Sequence, residues 1–182
     1  LAKLKLLISS YWSSLSVILT RSLFFLFSLS LTVFLEPKSF GELAIIMSYL
    51  LLISSLSNFG IESALISLEK NEIKSHLNVA WTLEFLKGVL TATIIFLSAD
   101  AVSEIVRKDL SSLIELISIS PIILSLKNIR ILELRKNLNI KPLFFIELAQ
   151  IVSYISFSYL FISYSAETKS IIYGYIIGCF FF

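Results

Sequence analysis

The sequence predicts an all-α, polytopic transmembrane helix bundle, and three observations predict it. Apolar runs at 14–35, 43–61, 79–99, 110–126 and 143–163, with a sixth from 170 to 182, take up nearly all of the 182 residues. A bilayer core is ~30 Å thick and a helix rises ~1.5 Å per residue, so ~20 apolar residues cross it. The composition is 57% hydrophobic and 15% charged, with mean hydropathy +0.90, where a soluble domain carries ~25% charged residues. Finally, the runs are continuous, whereas barrel strands alternate over ~10 residues. The whole chain, 1–182, reads as a single transmembrane domain.

The first run is preceded by Tyr11 and Trp12, rings that favour the headgroup level. It leads through Glu36-Pro37-Lys38-Ser39-Phe40-Gly41 into the second, a hairpin turned by Pro37 and relieved by Gly41. Asn58-Phe59-Gly60 closes the second run, with Gly60 the expected C-cap. Trp81 opens the third. Pro121 should kink the fourth, and the carbonyl it frees needs another donor. In 127–141, Lys127, Arg130, Glu133 and Lys136 recur every three residues, while Ile129, Leu132, Leu134 and Leu138 fall elsewhere on the wheel. This predicts a basic amphipathic helix on the cytoplasmic surface, touching anionic lipid. Gly174 and Gly178 form a GxxxG suited to close helix packing in the sixth run.

Several classes are disfavoured. Cys179 is the single cysteine and His76 the single histidine, which leaves no internal disulfide, thiolate metal site or His-based triad. A net charge of +2 does not suggest a nucleic-acid partner. The chain starts at Leu1 and stops at Phe182 within an apolar run, and is expected to be the N-terminal part of a longer protein.

Orientation follows from Lys and Arg in the connections. With the N-terminus cytoplasmic, nine lie inside: Lys3, Lys5, Lys70, Lys74, Lys127, Arg130, Arg135, Lys136 and Lys141. Four lie outside: Lys38, Arg107, Lys108 and Lys169. On this topology Arg21 lies ~10 Å from the cytoplasmic side, Glu84 ~8 Å, Lys87 ~12 Å and Glu147 ~6 Å. Glu115 stands apart, ~8 Å from the outer face. Asp100 and Glu104 sit just beyond the third run and are expected to be solvated.

Intramembrane charge is costly and should face a cavity or a partner. Two readings stay open. In one, Arg21 and Lys87 attract a phosphate group, for which the planar Arg fork is suited. In the other, they snorkel or pair with Glu84 and Glu147. Glu84 and Lys87, at i and i+3, can meet on one helix. Glu84 is also a candidate proton or cation site.

Three stretches carry a resemblance. Leu31-Thr32-Val33-Phe34-Leu35-Glu36-Pro37-Lys38-Ser39-Phe40-Gly41 resembles the Leu-x-Pro-x-x-Phe/Tyr-Gly hairpin of bacterial polysaccharide exporters. Asn58-Phe59-Gly60-Ile61-Glu62-Ser63-Ala64-Leu65-Ile66 resembles their Gly-Ile/Leu-x-x-Ala-Leu-Ile segment. Leu134-Arg135-Lys136-Asn137-Leu138-Asn139-Ile140-Lys141-Pro142-Leu143 is similar to their Arg-x-Leu-x-Phe-Lys link. The family is the polysaccharide-transporter flippases of the multidrug/oligosaccharidyl-lipid/polysaccharide exporter superfamily.

The resemblance implies a two-lobe MATE-like transporter of which this chain, with about six helices, is the first lobe. It implies movement of undecaprenyl-pyrophosphate-linked oligosaccharide across the bacterial inner membrane for O-antigen, capsule or exopolysaccharide assembly. Expected partners are that lipid-linked oligosaccharide, membrane lipid, and polysaccharide polymerase and chain-length machinery. No enzymatic chemistry and no cofactor are expected. The site assignment is Arg21 and Lys87 for substrate, Glu84 and Glu147 for coupling or ion pairing. Alternatives are a cation-coupled drug exporter of the same superfamily, a membrane-embedded enzyme, and a purely structural or anchoring membrane protein.

Overall fold

A computed structural model describes residues 2–58, 60–67, 70–128 and 131–181, giving the backbone alone at 2–4 and 70–75. Phe59, Ile129, Arg130 and Phe182, together with the side chains of Lys3, Lys70 and Lys74, therefore lie outside the described residues. All regular structure among the described residues is helical: α1 (Ala2–Phe34), α2 (Pro37–Leu56), α3 (Ile61–Ser67), α4 (Lys70–Leu97), α5 (Ala99–Val106), α6 (Ser111–Ile117), α7 (Ser120–Ser125), α8 (Ile131–Lys136), α9 (Lys141–Ile162) and α10 (Thr168–Cys179). Lys5–Phe34, α2, His76–Leu97 and α9 are each long and apolar enough to cross a membrane, and Ser111–Ser125 is a shorter apolar pair. Their outer faces carry large apolar side chains, such as Leu7 at 69%, Val33 at 81% and Leu51 at 68% exposure. Such a surface is at home only against lipid.

Three local features differ from the sequence expectation, and a fourth gives it detail. The first hairpin is tighter: Pro37 begins α2 directly after N-cap Glu36, so Lys38–Gly41 are already helical. Proline fits the first turn because its missing N–H would be unpaired there anyway. Gly60 is not the C-cap of α2, which ends at Leu56 with Ser57 as cap. Gly60 instead takes φ +69° ahead of α3, its N–H donating to Asn58 Oδ1 and its carbonyl accepting from Ala64.

The fourth apolar run is kinked, as Pro121 predicts, with Ser118 and Ile119 between two regular stretches still in the right-handed helical region. α6 ends at Ile117 and α7 restarts at Ser120, with Pro121 in its first turn. Pro121 cannot donate to Ile117, and the Ser120 hydroxyl donates to that carbonyl at 2.7 Å instead. The third difference is in 127–141, where the described residues before α9 hold the short helix α8 and not a continuous surface helix. Leu138 at φ +58° ends it, and Leu132 is buried with Leu65, Leu77 and Ala80.

The packing sets two helix pairs that matter for the site. α1 and α9 run parallel: Trp12 meets Phe144, Phe27 meets Tyr154, and Ser30 bonds Tyr159. α9 and α10 run antiparallel at close range. A Cβ on Gly174 would come 2.6 Å from Ser158 N, and one on Gly178 2.9 Å from Tyr154 Cβ, which gives the GxxxG its physical meaning. On the other side Gly88 lets α4 pack on α7, where a Cβ would lie 2.8 Å from the Pro121 carbonyl oxygen. One core joins α2, α4, α6 and α10 around Ile46, Ile95, Ile114 and Ile172. Another joins α1, α2, α9 and α10 around Leu31, Leu43, Tyr154 and Ile171.

Candidate functional site

Between α1, α2, α7, α9 and α10 lies a cavity of about 700 Å³. Its polar lining includes Thr20, Arg21, Ser54, Glu147 and Gln150, and its apolar lining includes Phe24, Met47 and Leu50. Arg21 reaches this wall from the middle of α1. It makes no hydrogen bond or ion pair among the described residues, so its guanidinium faces the cavity unneutralised. Phe24 stacks on Tyr154, and Tyr154 meets Tyr175 edge-on at 5.7 Å, lining the cavity beyond Arg21 with rings.

Glu147 lines the same cavity but does not pair with Arg21. Its Oε2 accepts from the Ser16 hydroxyl, and its Oε1 lies 4.0 Å from Arg135 Nη2. Arg135 in turn stands 3.5 Å from Glu62, which also accepts from the Lys127 ammonium. The chain Lys127–Glu62–Arg135–Glu147–Ser16 thus ties α3, α8, α9 and α1 together at one end of the bundle. Burial pushes the Glu62 carboxyl up, but the Lys127 hydrogen bond and the charges of Lys127, Arg135 and Lys87 outweigh it and hold the group below its ordinary value.

Lys87 is not brought to the cavity. Its Nζ lies 2.6 Å from Glu84 Oε2 on the same helix, and the Glu84 side chain is only 5% exposed. Of the sequence-predicted residues, then, Arg21 and Glu147 share the cavity, while Lys87 and Glu84 form a separate pair. Sequence reasoning missed Gln150, one turn beyond Glu147 on α9, and the roles of Glu62, Lys127 and Arg135. An uncharged carboxamide in an apolar run carries a weak signal, yet its i, i+3 spacing from Glu147 marked one face. Arg135 lies off the three-residue repeat of Lys127, Arg130, Glu133 and Lys136, so the wheel did not single it out. On the far side, Glu115 lines a shallower apolar cleft of about 490 Å³ with Thr93, Phe96 and Ile122. Asp100 is exposed, as expected, and its carboxylate also accepts from the Ser111 hydroxyl, joining α5 to α6.

Together these features define a helical membrane protein with a charged cavity opening inside its apolar bundle. A family model described as polysaccharide biosynthesis protein matches residues 31–182. The chain belongs to that family, and its role lies in polysaccharide biosynthesis or export. No curated protein and no solved structure matches the chain.

Proposed function

We propose that the protein translocates an undecaprenyl-pyrophosphate-linked oligosaccharide across the bacterial inner membrane, with Arg21 engaging the pyrophosphate. The observation that carries this reading is the unpaired Arg21 guanidinium on a cavity wall within apolar helices. An Arg in such a place is expensive unless an anion meets it. Phosphate oxygens match its planar fork, which offers two parallel hydrogen bonds. Lys87, neutralised by Glu84, is left out of this role, and the Glu84–Lys87 pair is structural.

The mechanism is alternating access without covalent chemistry. This chain is one lobe of a two-lobe, MATE-like transporter, and the lobes rock around a central cavity. With the N-terminus cytoplasmic, Arg21 sits in the cytoplasmic third, where a headgroup made inside the cell arrives first. The product feeds O-antigen, capsule or exopolysaccharide assembly, next to the polymerase and chain-length machinery. A cation-coupled drug exporter would need a carboxylate free in the cavity, whereas the oxygens of Glu147 are engaged by Ser16 and Arg135.

The test is Arg21→Ala in the full-length protein, expressed in a flippase-deficient strain. Surface polysaccharide should be lost, and Arg21→Lys should restore part of it, because a lysine keeps the charge without the fork. Normal polysaccharide from the alanine variant would reduce Arg21 to a snorkelling residue and remove the basis of the reading.

A further inference from the structure

Among the described residues, Arg21 and Gln150 on the cavity wall have no side-chain partner, and the helix register sets them nearly level. α1 and α9 are parallel, offset by 131 residues at the Ser16–Glu147 bond and by 129 at Ser30–Tyr159. Arg21 therefore stands level with the stretch Gln150-Ile151-Val152. Both Arg21 and Gln150 line the cavity. Among the described residues the Gln150 carboxamide, like the guanidinium, makes no hydrogen bond, and it is half-buried among apolar side chains. A primary amide offers two N–H donors and a carbonyl acceptor, and here they are free to meet a group that enters the cavity.

The two groups ask for different chemistry. Arg21 only donates and is satisfied by phosphate. The Gln150 N–H groups can donate to phosphate, but its carbonyl needs a donor that phosphate does not supply, so the carboxamide as a whole suits a neutral group that both donates and accepts. A sugar hydroxyl or acetamido group does both. The cavity of about 700 Å³ exceeds what a pyrophosphate alone would fill, and it lies within the ~300–1,000 Å³ typical of ligand pockets.

We propose that Gln150 is a specificity-determining residue that hydrogen-bonds the first sugar attached to the pyrophosphate while Arg21 holds the phosphate. This rests on the reading of the cavity as a lipid-pyrophosphate site. Charge binds the carrier in general, and the amide distinguishes a sugar-bearing carrier from a bare one. A site built to hydrogen-bond a ligand group discriminates against the analogue lacking it, because its own polar atoms are then stranded.

The experiment measures binding to the intact protein in lipid nanodiscs with two probes, farnesyl pyrophosphate and the same carrier bearing N-acetylglucosamine. Wild type should bind the sugar-bearing probe more tightly. Gln150→Met keeps the side-chain length and should weaken that probe roughly tenfold, leaving the sugar-free probe unchanged. Arg21→Ala should weaken both. Gln150→Glu keeps the shape but sets a carboxylate beside the phosphate, and should also weaken both. Equal loss of both probes in Gln150→Met, or loss of neither, overturns the inference while the lipid-pyrophosphate reading stands. Failure of wild type to bind either probe overturns that reading, and the inference with it.

Discussion

A lysine inside an apolar helix must be neutralised or give up its charge. Lys87 is neutralised one turn away by Glu84, which is itself almost wholly buried. Removing one member of such a pair strands the other, at ~3–5 kcal/mol, while replacing both by similar-sized uncharged groups is often neutral. Lys87→Met should therefore lower the thermal midpoint in detergent sharply, and adding Glu84→Gln should restore most of it. A double variant as unstable as the single one would show that Lys87 matters by itself and not as half of a pair. The i, i+3 spacing of this pair was plain in the sequence, because on one helix contact follows from the period. That Arg21 has no such partner was not, because Glu147 looked equally available. The competitors of Arg21, Ser16 and Arg135, sit 131 and 12 residues from Glu147 along the chain and meet it only in the fold.

At the scale of elements, α8 is held to the bundle by charge and by Leu132. Glu62 is the hub, bonded to Lys127 and facing Arg135. Its carboxyl is held below its ordinary value, so its contribution is fully present above the unfolded-chain pKa of ~4.3 and is lost as pH falls through the folded one. Glu62→Gln should melt below wild type at neutral pH, and the two should converge as acidification takes the pH through the lowered folded value. A gap that stays constant with pH would mean that the carboxylate charge is not what holds α8. The α9–α10 pair depends on space instead. Gly174→Ala would place a Cβ 2.6 Å from Ser158 N and 2.8 Å from Ser158 Cα, and backbone cannot yield as a side chain can. Overpacking of this kind costs ~1–3 kcal/mol. Trimming the neighbour with Ser158→Ala should not rescue it, because the nitrogen and Cα stay where they were. Rescue by that trim would place the clash in the hydroxyl alone. This contact was legible from the four-residue glycine spacing. The interruption at Ser118–Ile119 was legible only in part, since Pro121 predicts a disturbed helix but not that Ser120 would take up the Ile117 carbonyl.

At the scale of the whole molecule, the packing divides the connections between two ends. The Glu62 and Glu147 network gathers one end, and Thr168, bonded to Glu42 at 3.0 Å and to the Ser39 carbonyl, marks the other. Among the residues described with their side chains, the first end collects Lys5, Lys127, Arg135, Lys136 and Lys141, against Lys38, Arg107, Lys108 and Lys169 at the second; the topology read from the sequence adds Lys3, Lys70, Lys74 and Arg130 to the first. We propose, on this excess of positive charge, that the first end is the cytoplasmic one. Part of that charge is spent on Glu62 and Glu147, however, so the bias available for orientation is smaller than the residue count. A direct measurement can use the chain's own composition. Cys179 is its single cysteine and is buried, which gives a quiet background for cysteine labelling. Asn137 and Ala166 are both exposed, at opposite ends of α9. In intact cells Ala166→Cys should react with a membrane-impermeant maleimide, and Asn137→Cys should react only after lysis. The reverse pattern would put the Arg21 cavity nearer the outer face, where it could not receive a headgroup made in the cytoplasm, and the transport direction proposed for this protein would fall with the topology.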